Sequence, residues 1–145
     1  MKYLIDTCVI SELVKPRPNR AVVGWLRDCD EERLFLSVLT IGELQKGIAR
    51  LPPSKRRTSL EMWVDQNLRD RFAERTLPVD VEVAERWGQL VADAERRGEP
   101  VPAIDSLIAA TALTHGLTII TRNTDDMRRC GASVLDPWGR QARAS

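Results

Sequence analysis

Short apolar runs that alternate with longer stretches of helical periodicity constrain the fold of this chain more than any other feature. The predicted strands cover residues 2–6, 34–38, 76–79, 117–121 and 133–135. Strands that alternate with helices build βαβ units, in which the connected strands pair in parallel. The run at 76–79 contains Pro78, which cannot donate to a central ladder, so we place it at an edge. The sequence therefore predicts an α/β fold around a mainly parallel sheet of four to five strands.

Helix signals fill the segments between these strands. A short helix follows Asp6, and Asn19 caps a second helix that precedes residue 34. Ser54 caps a long helix, whose apolar stripe ends at Phe72. The other predicted helices cover residues 40–51, 81–97, 103–115 and 125–129.

Length and charge limit the class of protein. The chain has 145 residues, so we expect a single domain over 1–145, with a C-terminal tail from about residue 138. Its formal net charge of +1 excludes a strongly basic nucleic-acid binder, so any contact with a polyanion must come from a local cluster. Three cysteines without CxxC spacing, together with the absence of an apolar stretch long enough to span a membrane, predict a cytoplasmic protein.

Four acids fall where the predicted strands and helices meet. Asp6 directly follows the first strand, and Asp126 lies five residues beyond Thr121, the end of a later strand. Glu43 and Asp105 each lie near the beginning of a helix. Because functional sites in open parallel sheets lie beyond the carboxyl ends of the strands, we expect these side chains to share one edge of the sheet.

Three of these acids also have a purely structural interpretation. Thr40 and Glu43 have the spacing of a capping box, and so do Asn123 and Asp126. Asp105 is placed where a first-turn acid favours the helix dipole. Asp6 is harder to explain in this way, because capping alone does not require a continuously apolar strand before it.

Convergence of four carboxylates predicts a bound cation. Carboxylates within a few ångströms repel one another and raise one another's pKa values. Mg²⁺ or Mn²⁺ removes that penalty, because both ions prefer oxygen ligands. Such an ion assists hydrolysis of phosphate esters, so a phosphodiester is the expected substrate.

Four segments of the chain, in order, resemble the motifs of PIN-domain ribonucleases, particularly the toxins of VapBC-type toxin–antitoxin pairs. The similar segments are residues 3–13, 40–48, 102–112 and 121–127. The resemblance extends to about residue 137. It implies a compact PIN-like α/β/α sandwich, Mg²⁺- or Mn²⁺-dependent RNA cleavage, a small cognate antitoxin protein and a homodimer.

The resemblance also implies a role for each acid. Asp6 and Asp105 are the expected metal ligands, and Glu43 and Asp126 complete the catalytic pocket directly or through water. The doublet Asp125 and Asp126 leaves open which carboxylate faces the metal, although the family pattern favours Asp126.

Two positions depart from the family pattern without removing a carboxylate. Cys8 stands where the first motif commonly has Asn. Met127 follows the acid of the fourth motif, where Phe is common.

Residues beside the fourth acid are candidates for substrate contact or support of the site. Thr121 either orients a ligand or is an ordinary strand residue, and Asn123 neighbours the acidic edge. Arg122 is the preferred RNA contact because it adjoins that edge. Solvated surface charge is the simpler explanation for the basic clusters at residues 15–20, 55–57 and 122–129.

Two other functions fit the same acids. A non-catalytic PIN-like module would bind nucleic acid only as part of a toxin–antitoxin complex. A phosphoacceptor signalling domain also gathers acids at strand ends, but it would need a Lys after a late strand, where this chain has Arg122.

Overall fold

A computed structural model describes residues 1–139 as five parallel strands between two layers of helices. The strands are β1 (Tyr3–Ile5), β2 (Leu34–Ser37), β3 (Thr76–Leu77), β4 (Thr118–Ile120) and β5 (Val134–Leu135). Their order in the sheet is β3-β2-β1-β4-β5, and every neighbouring pair is parallel. The predicted α/β class, the parallel sheet and the edge position of β3 are confirmed.

Eight α-helices connect and flank these strands within residues 1–139. They are α1 (Thr7–Leu13), α2 (Arg20–Asp28), α3 (Val38–Ala49), α4 (Lys55–Met62), α5 (Arg69–Arg71), α6 (Val81–Arg96), α7 (Ala103–His115) and α8 (Thr124–Arg129). The predicted long helix after Ser54 is not uniform, because a π-helical segment, Trp63–Leu68, joins α4 to α5. Val64 and Leu68 of this segment are buried, so the change of helical pitch preserves the apolar stripe.

Helix α3 begins two residues earlier than its sequence pattern predicts. The Ser37 hydroxyl accepts a hydrogen bond from the Leu39 N–H at 3.0 Å and caps the helix. The predicted capping box of Thr40 and Glu43 is therefore wrong, because both residues lie inside α3. This shift leaves the Glu43 carboxylate available for contacts outside its own helix.

The two faces of the sheet support separate apolar cores. Ile5 and Ile120 face the core that is covered by α1, α2, α3 and the π-helical segment. Leu4 and Ile119 face the opposite core, under α6, α7 and α8. Burial on both faces explains why these strands are continuously apolar, and the two helical layers complete an α/β/α sandwich.

The end of α7 sets the direction of β4, which leads to the acidic edge. Gly116 adopts φ 66°, a left-handed conformation that L side chains rarely adopt. The Leu117 N–H then donates to the Ala112 carbonyl at 2.9 Å and closes the turn. Strand β4 begins at Thr118, two residues after Gly116, and lies beside β1.

The segment after β5 remains attached to the sandwich as far as it is described. Trp138 packs against the core on the α1 side, although the sequence places it in the tail. The rest of the predicted tail, residues 140–145, lies outside the described residues.

Within residues 1–139, no helix combines the length and apolarity needed to cross a bilayer.

Candidate active site

An open cleft of about 470 Å³ lies at the carboxyl ends of β1 and β4. Its lining consists of Asp6, Thr7, Cys8, Glu43, Asp105, Arg122 and Asn123. Three of the four predicted acids therefore line one cleft. The fourth, Asp126, reaches the same group of side chains through Asn123.

Asp6 is a buried carboxylate held by fixed donors. Only 6% of its surface is exposed, and it is the N-cap of α1, where Oδ1 accepts from the Thr7 N–H at 2.8 Å. Oδ2 accepts from the Thr121 hydroxyl at 2.7 Å. Burial raises the pKa of Asp6, these hydrogen bonds oppose the increase, and the nearby charge of Glu43 adds to it. The side chain thus has a capping role and a fixed orientation at the cleft.

Glu43 reaches the cleft from inside α3 and is joined to α1 by a hydroxyl group. The Thr7 Oγ1 donates to Glu43 Oε1 at 2.5 Å and lies 3.2 Å from the Thr40 hydroxyl. Thr7 therefore contacts two acids, because its backbone N–H donates to Asp6. The sequence alone did not predict this role, because no local pattern distinguishes Thr7 from an ordinary first residue of a helix.

Asp105 gives the clearest electrostatic signature of the cleft. It lies in the first turn of α7, as predicted, and is half-buried. Burial raises its pKa to about 6, and the charges of Asp6, Asp126 and Glu43 contribute in that order. One hydrogen bond, from the Asn123 amide to Oδ2 at 2.9 Å, opposes the increase. The three other predicted acids therefore act electrostatically on Asp105.

Asn123 connects the third and fourth acids. Its Nδ2 donates to Asp105 Oδ2 and, at 3.2 Å, to Asp126 Oδ2. The predicted capping box of Asn123 and Asp126 is wrong, because the Asn123 side chain makes no capping hydrogen bond to α8. The other Asp126 oxygen accepts from Arg129 Nη1 at 2.7 Å. Asp125 is exposed and forms none of these contacts in the described structure, so the geometry favours Asp126 as the residue connected to the cleft.

Thr121 and Cys8 complete the wall beside Asp6. Thr121 is fully buried one residue beyond β4, where its hydroxyl donates to Asp6 and accepts from the Asn123 N–H at 2.9 Å. The Cys8 Sγ lies 3.7 Å from Asp6 Oδ2, and burial together with the Asp6 charge raises the pKa of this thiol. Thr121 thus has a structural role beyond that of an ordinary strand residue, since it links Asp6 to the segment that carries Asn123.

The donor set of this cleft suits a hard divalent cation. Asp6, Glu43 and Asp105 form no ion pair with any residue from 1 to 139, so their negative charges have no cationic side-chain partner there. Carboxylate oxygens are the preferred ligands of Mg²⁺ and Mn²⁺. In the described part of the chain, however, no three acid, His or Cys side chains already form a metal-binding group. Binding of an ion by three of them therefore requires side-chain adjustment.

Comparison with known proteins identifies the family. The model of the PIN domain matches residues 3–132, and the chain belongs to this family. This assignment confirms the resemblance of the four motifs and gives no support to a phosphoacceptor signalling domain.

Alignments with individual relatives cover nearly the whole chain. The chain is 39% identical to "Toxin FitB" of Neisseria gonorrhoeae, over 93% of this chain and 97% of that protein. It is 37% identical to "VapC ribonuclease Y4jK" of Sinorhizobium fredii, over 93% of this chain and 96% of that protein. The solved structure of FitAB bound to an IR36 DNA fragment has a chain that superposes with a TM-score of 0.90 at 37% identity, covering 94% of this chain and 96% of that one.

Proposed function

We propose that this protein is a metal-dependent endoribonuclease and the toxin of a toxin–antitoxin pair. The observation that carries the proposal is the convergence of Asp6, Glu43 and Asp105 on one cleft. The raised pKa of Asp105, to about 6, with contributions from the three other acids, agrees with it. Such crowding of negative charge is typical of sites that bind a cation or carry out acid–base chemistry. Membership of the PIN family and the ribonuclease name of a 37%-identical relative support the same activity.

The four acids have two proposed roles in this activity. Asp6, Asp105 and Glu43 are the proposed ligands of Mg²⁺ or Mn²⁺, since each lines the cleft and has no cationic partner within residues 1–139. Asp126 does not line the cleft and forms an ion pair with Arg129, so we assign it an indirect role through Asn123. When bound, the ion lowers the pKa of water and polarises a phosphoryl oxygen.

The neutral residues of the cleft orient these acids. Thr121 and the Thr7 N–H hold the Asp6 carboxylate from two sides, and the Thr7 hydroxyl holds Glu43. Asn123 fixes one oxygen of Asp105. This arrangement limits side-chain rotation around the reacting phosphate, and in-line attack by water would leave 5′-phosphate and 3′-hydroxyl ends.

The proposed partners follow from the same function. RNA is the substrate, and a small antitoxin protein neutralises the enzyme in the cytoplasm by covering the acidic cleft. A 37%-identical structure is described as FitAB bound to DNA, which supports assembly of this chain into a comparable complex. We also propose that the toxin forms a homodimer.

A non-catalytic module remains the second candidate, because the described residues contain no preformed group of three metal ligands. Such a module would bind its antitoxin and nucleic acid without cleaving any RNA. Its acids would pair with cationic side chains of the partner.

Cleavage of total cellular RNA by the purified protein tests the choice between these candidates. We expect cleavage in Mg²⁺ or Mn²⁺, none in EDTA, and a loss of at least about a hundredfold in Asp6→Asn and in Asp105→Asn, the scale seen for removal of one essential electrostatic group. Asp125→Asn is the matched control, since it removes the same charge from an exposed residue outside the cleft lining. Wild-type rates in both cleft variants would exclude the enzymatic proposal, and sequencing the RNA ends would identify the cleavage site.

A further inference from the structure

We infer that Arg122 binds a backbone phosphate of RNA at the mouth of the acidic cleft, and that Trp138 is the positioning residue that holds Arg122 there. The inference rests on the proposed ribonuclease function and adds a specific substrate contact to it. It depends on three observations: the place of Arg122 in the cleft, its cation–π contact with Trp138, and the free donors of its guanidinium group within residues 1–139.

Arg122 contacts a residue of the cleft through its backbone and lines the cleft with its side chain. It follows Thr121, which holds Asp6, and its backbone N–H donates to the Cys8 Sγ at 3.5 Å. Its side chain is exposed and lines the same cleft as Asp105. A cation at this point lies beside the acids that are proposed to act on the scissile phosphate.

Trp138 restricts the direction in which the guanidinium group points. The Arg122 Cζ lies 4.1 Å from the centroid of the Trp138 ring, which is the distance of a cation–π contact. Trp138 is itself fixed, because it packs against the core and its backbone N–H donates to Asp136 Oδ1 at 2.8 Å. An exposed arginine ordinarily samples many rotamers, so this contact reduces the entropy lost when the side chain binds a ligand.

The guanidinium group keeps its hydrogen-bond donors available. Among residues 1–139, Arg122 forms no side-chain hydrogen bond and no ion pair. Glu12 acts on it electrostatically, but the two Glu12 oxygens accept from Lys15 Nζ and from the Asn19 N–H, each at 2.9 Å. The cation–π contact with Trp138 supplies no oxygen acceptor, so the N–H donors of the guanidinium group have no hydrogen-bond acceptor among residues 1–139.

A phosphate is the acceptor that fits this arrangement best. The planar fork of arginine matches two phosphate oxygens, and stacked arginines are frequent in nucleic-acid recognition. The carboxylates in the cleft repel RNA, and a net charge of +1 provides little general attraction. A preoriented cation at the edge of the cleft offsets that repulsion where the substrate must enter.

Binding of a fluorescein-labelled, single-stranded RNA dodecamer of mixed sequence, measured by anisotropy in EDTA, tests the inference without requiring cleavage. We expect Arg122→Ala to raise Kd about tenfold, the scale of one charge-assisted contact. The slope of log K against log salt should become about 0.7 less negative, the value for one phosphate contact with a single strand. Arg122→Lys should restore the salt slope but only part of the affinity. Arg86→Ala is the matched control, because it removes an exposed arginine from α6, outside the cleft lining.

A double-mutant cycle tests the role of Trp138. Trp138→Leu should raise Kd two- to fivefold in the wild-type background and have no effect in the Arg122→Ala background, because its effect acts through Arg122. Equal effects in both backgrounds would show a general structural role and overturn the assignment of Trp138. Circular dichroism must show that both variants fold. If Trp138→Leu unfolds, Trp138→Phe replaces it, and the expected increase in Kd is smaller.

Several results would overturn the assignment of Arg122. These are a Kd unchanged in Arg122→Ala, a loss matched by Arg86→Ala, or no detectable binding of the dodecamer by the unmodified protein at low salt. The two proposals fail separately. Binding that follows the expected pattern without RNA cleavage in Mg²⁺ would refute only the enzymatic function. RNA cleavage by the wild type together with an unchanged Kd in Arg122→Ala would refute only this inference.

Discussion

Replacing Asp105 by Asn should stabilise the metal-free protein, although it removes a proposed catalytic group. The Asp105 carboxylate is half-buried beside three other acids, and its pKa is raised from 3.8 to about 6. Asn has almost the same shape and can still accept the hydrogen bond from Asn123. The substitution therefore removes the repulsive charge and keeps the main contact.

The expected magnitude follows from the pKa of Asp105. One pKa unit corresponds to about 1.4 kcal/mol, so the full shift sets an upper limit of about 3 kcal/mol. Because Asp105 is partly exposed, solvent screening reduces the expected gain in the free energy of unfolding to about 1–2 kcal/mol at pH 7.5. This gain corresponds to an increase in Tm of roughly 2–8 °C for a domain of this size.

The sign of the pH dependence is the reverse of that for a salt-bridged Asp. The folded state binds the Asp105 proton more tightly than the unfolded state, so the penalty is fully present above about pH 6. As the pH falls from 6 towards 4, Asp105 becomes protonated in the folded protein and the penalty disappears. The advantage of Asp105→Asn over wild type should therefore be largest above pH 6 and vanish below about pH 4.

Urea unfolding of both proteins in EDTA, at intervals from pH 4 to pH 8, measures this difference. Asp125→Asn is again the matched control and should change stability by less than about 0.5 kcal/mol, as exposed substitutions usually do. Added Mg²⁺ should stabilise the wild type by mass action and stabilise Asp105→Asn less. Destabilisation by Asp105→Asn at pH 7.5, or an equal gain at pH 4, would refute the electrostatic reasoning.

Substitutions at four further positions test the contacts that shape the fold and the cleft. Thr121→Val should slow RNA cleavage about tenfold in steady-state assays, because it removes a donor to Asp6, and Thr121→Ser should retain most of the rate. Gly116→Ala should lower the free energy of unfolding by about 1 kcal/mol or more in urea, whereas Gly88→Ala, inside α6 with open space at Cβ, should raise it by up to about 1 kcal/mol. Leu36→Ala, in a fully buried position of β2, should cost about 2–5 kcal/mol in the same assay, and a cost below 1 kcal/mol would contradict its place in the core.

Short, continuously apolar runs in the sequence predicted the sheet, because both faces of its central strands are buried. The run at Leu4 and Ile5 has no polar alternation, and the structure buries these two side chains in different cores. Helix boundaries were less predictable where two local rules competed. Thr40 with Glu43 matched a capping box, yet Ser37 begins the helix because its hydroxyl reaches the Leu39 N–H.

The acids of the site were predictable from their places at the ends of strands and helices, but the contacts between them were not. Thr7 joins Glu43 across 36 positions of the sequence, and Thr121 joins Asp6 across 115. Such pairs form only after β4 lies beside β1 and α3 lies against α1. No local pattern around Thr7 distinguishes it from an ordinary first residue of a helix, so its role becomes visible only in three dimensions.

Protonation of Asp105 near pH 6 should give the acidic cleft two electrostatic states. Burial is the main cause of the raised pKa of Asp105, and the charge of Asp6 adds to it. Thr121 and the Thr7 N–H favour that charge, against the burial that raises the pKa of Asp6. A proton on Asp105 relieves the repulsion, and so does a divalent cation, because both reduce the negative charge of the cleft. Protons and metal ions must therefore compete, and metal affinity should fall as the pH drops through about 6. Because metal affinity and fold stability have one electrostatic cause, a substitution such as Asp105→Asn should change both in opposite directions.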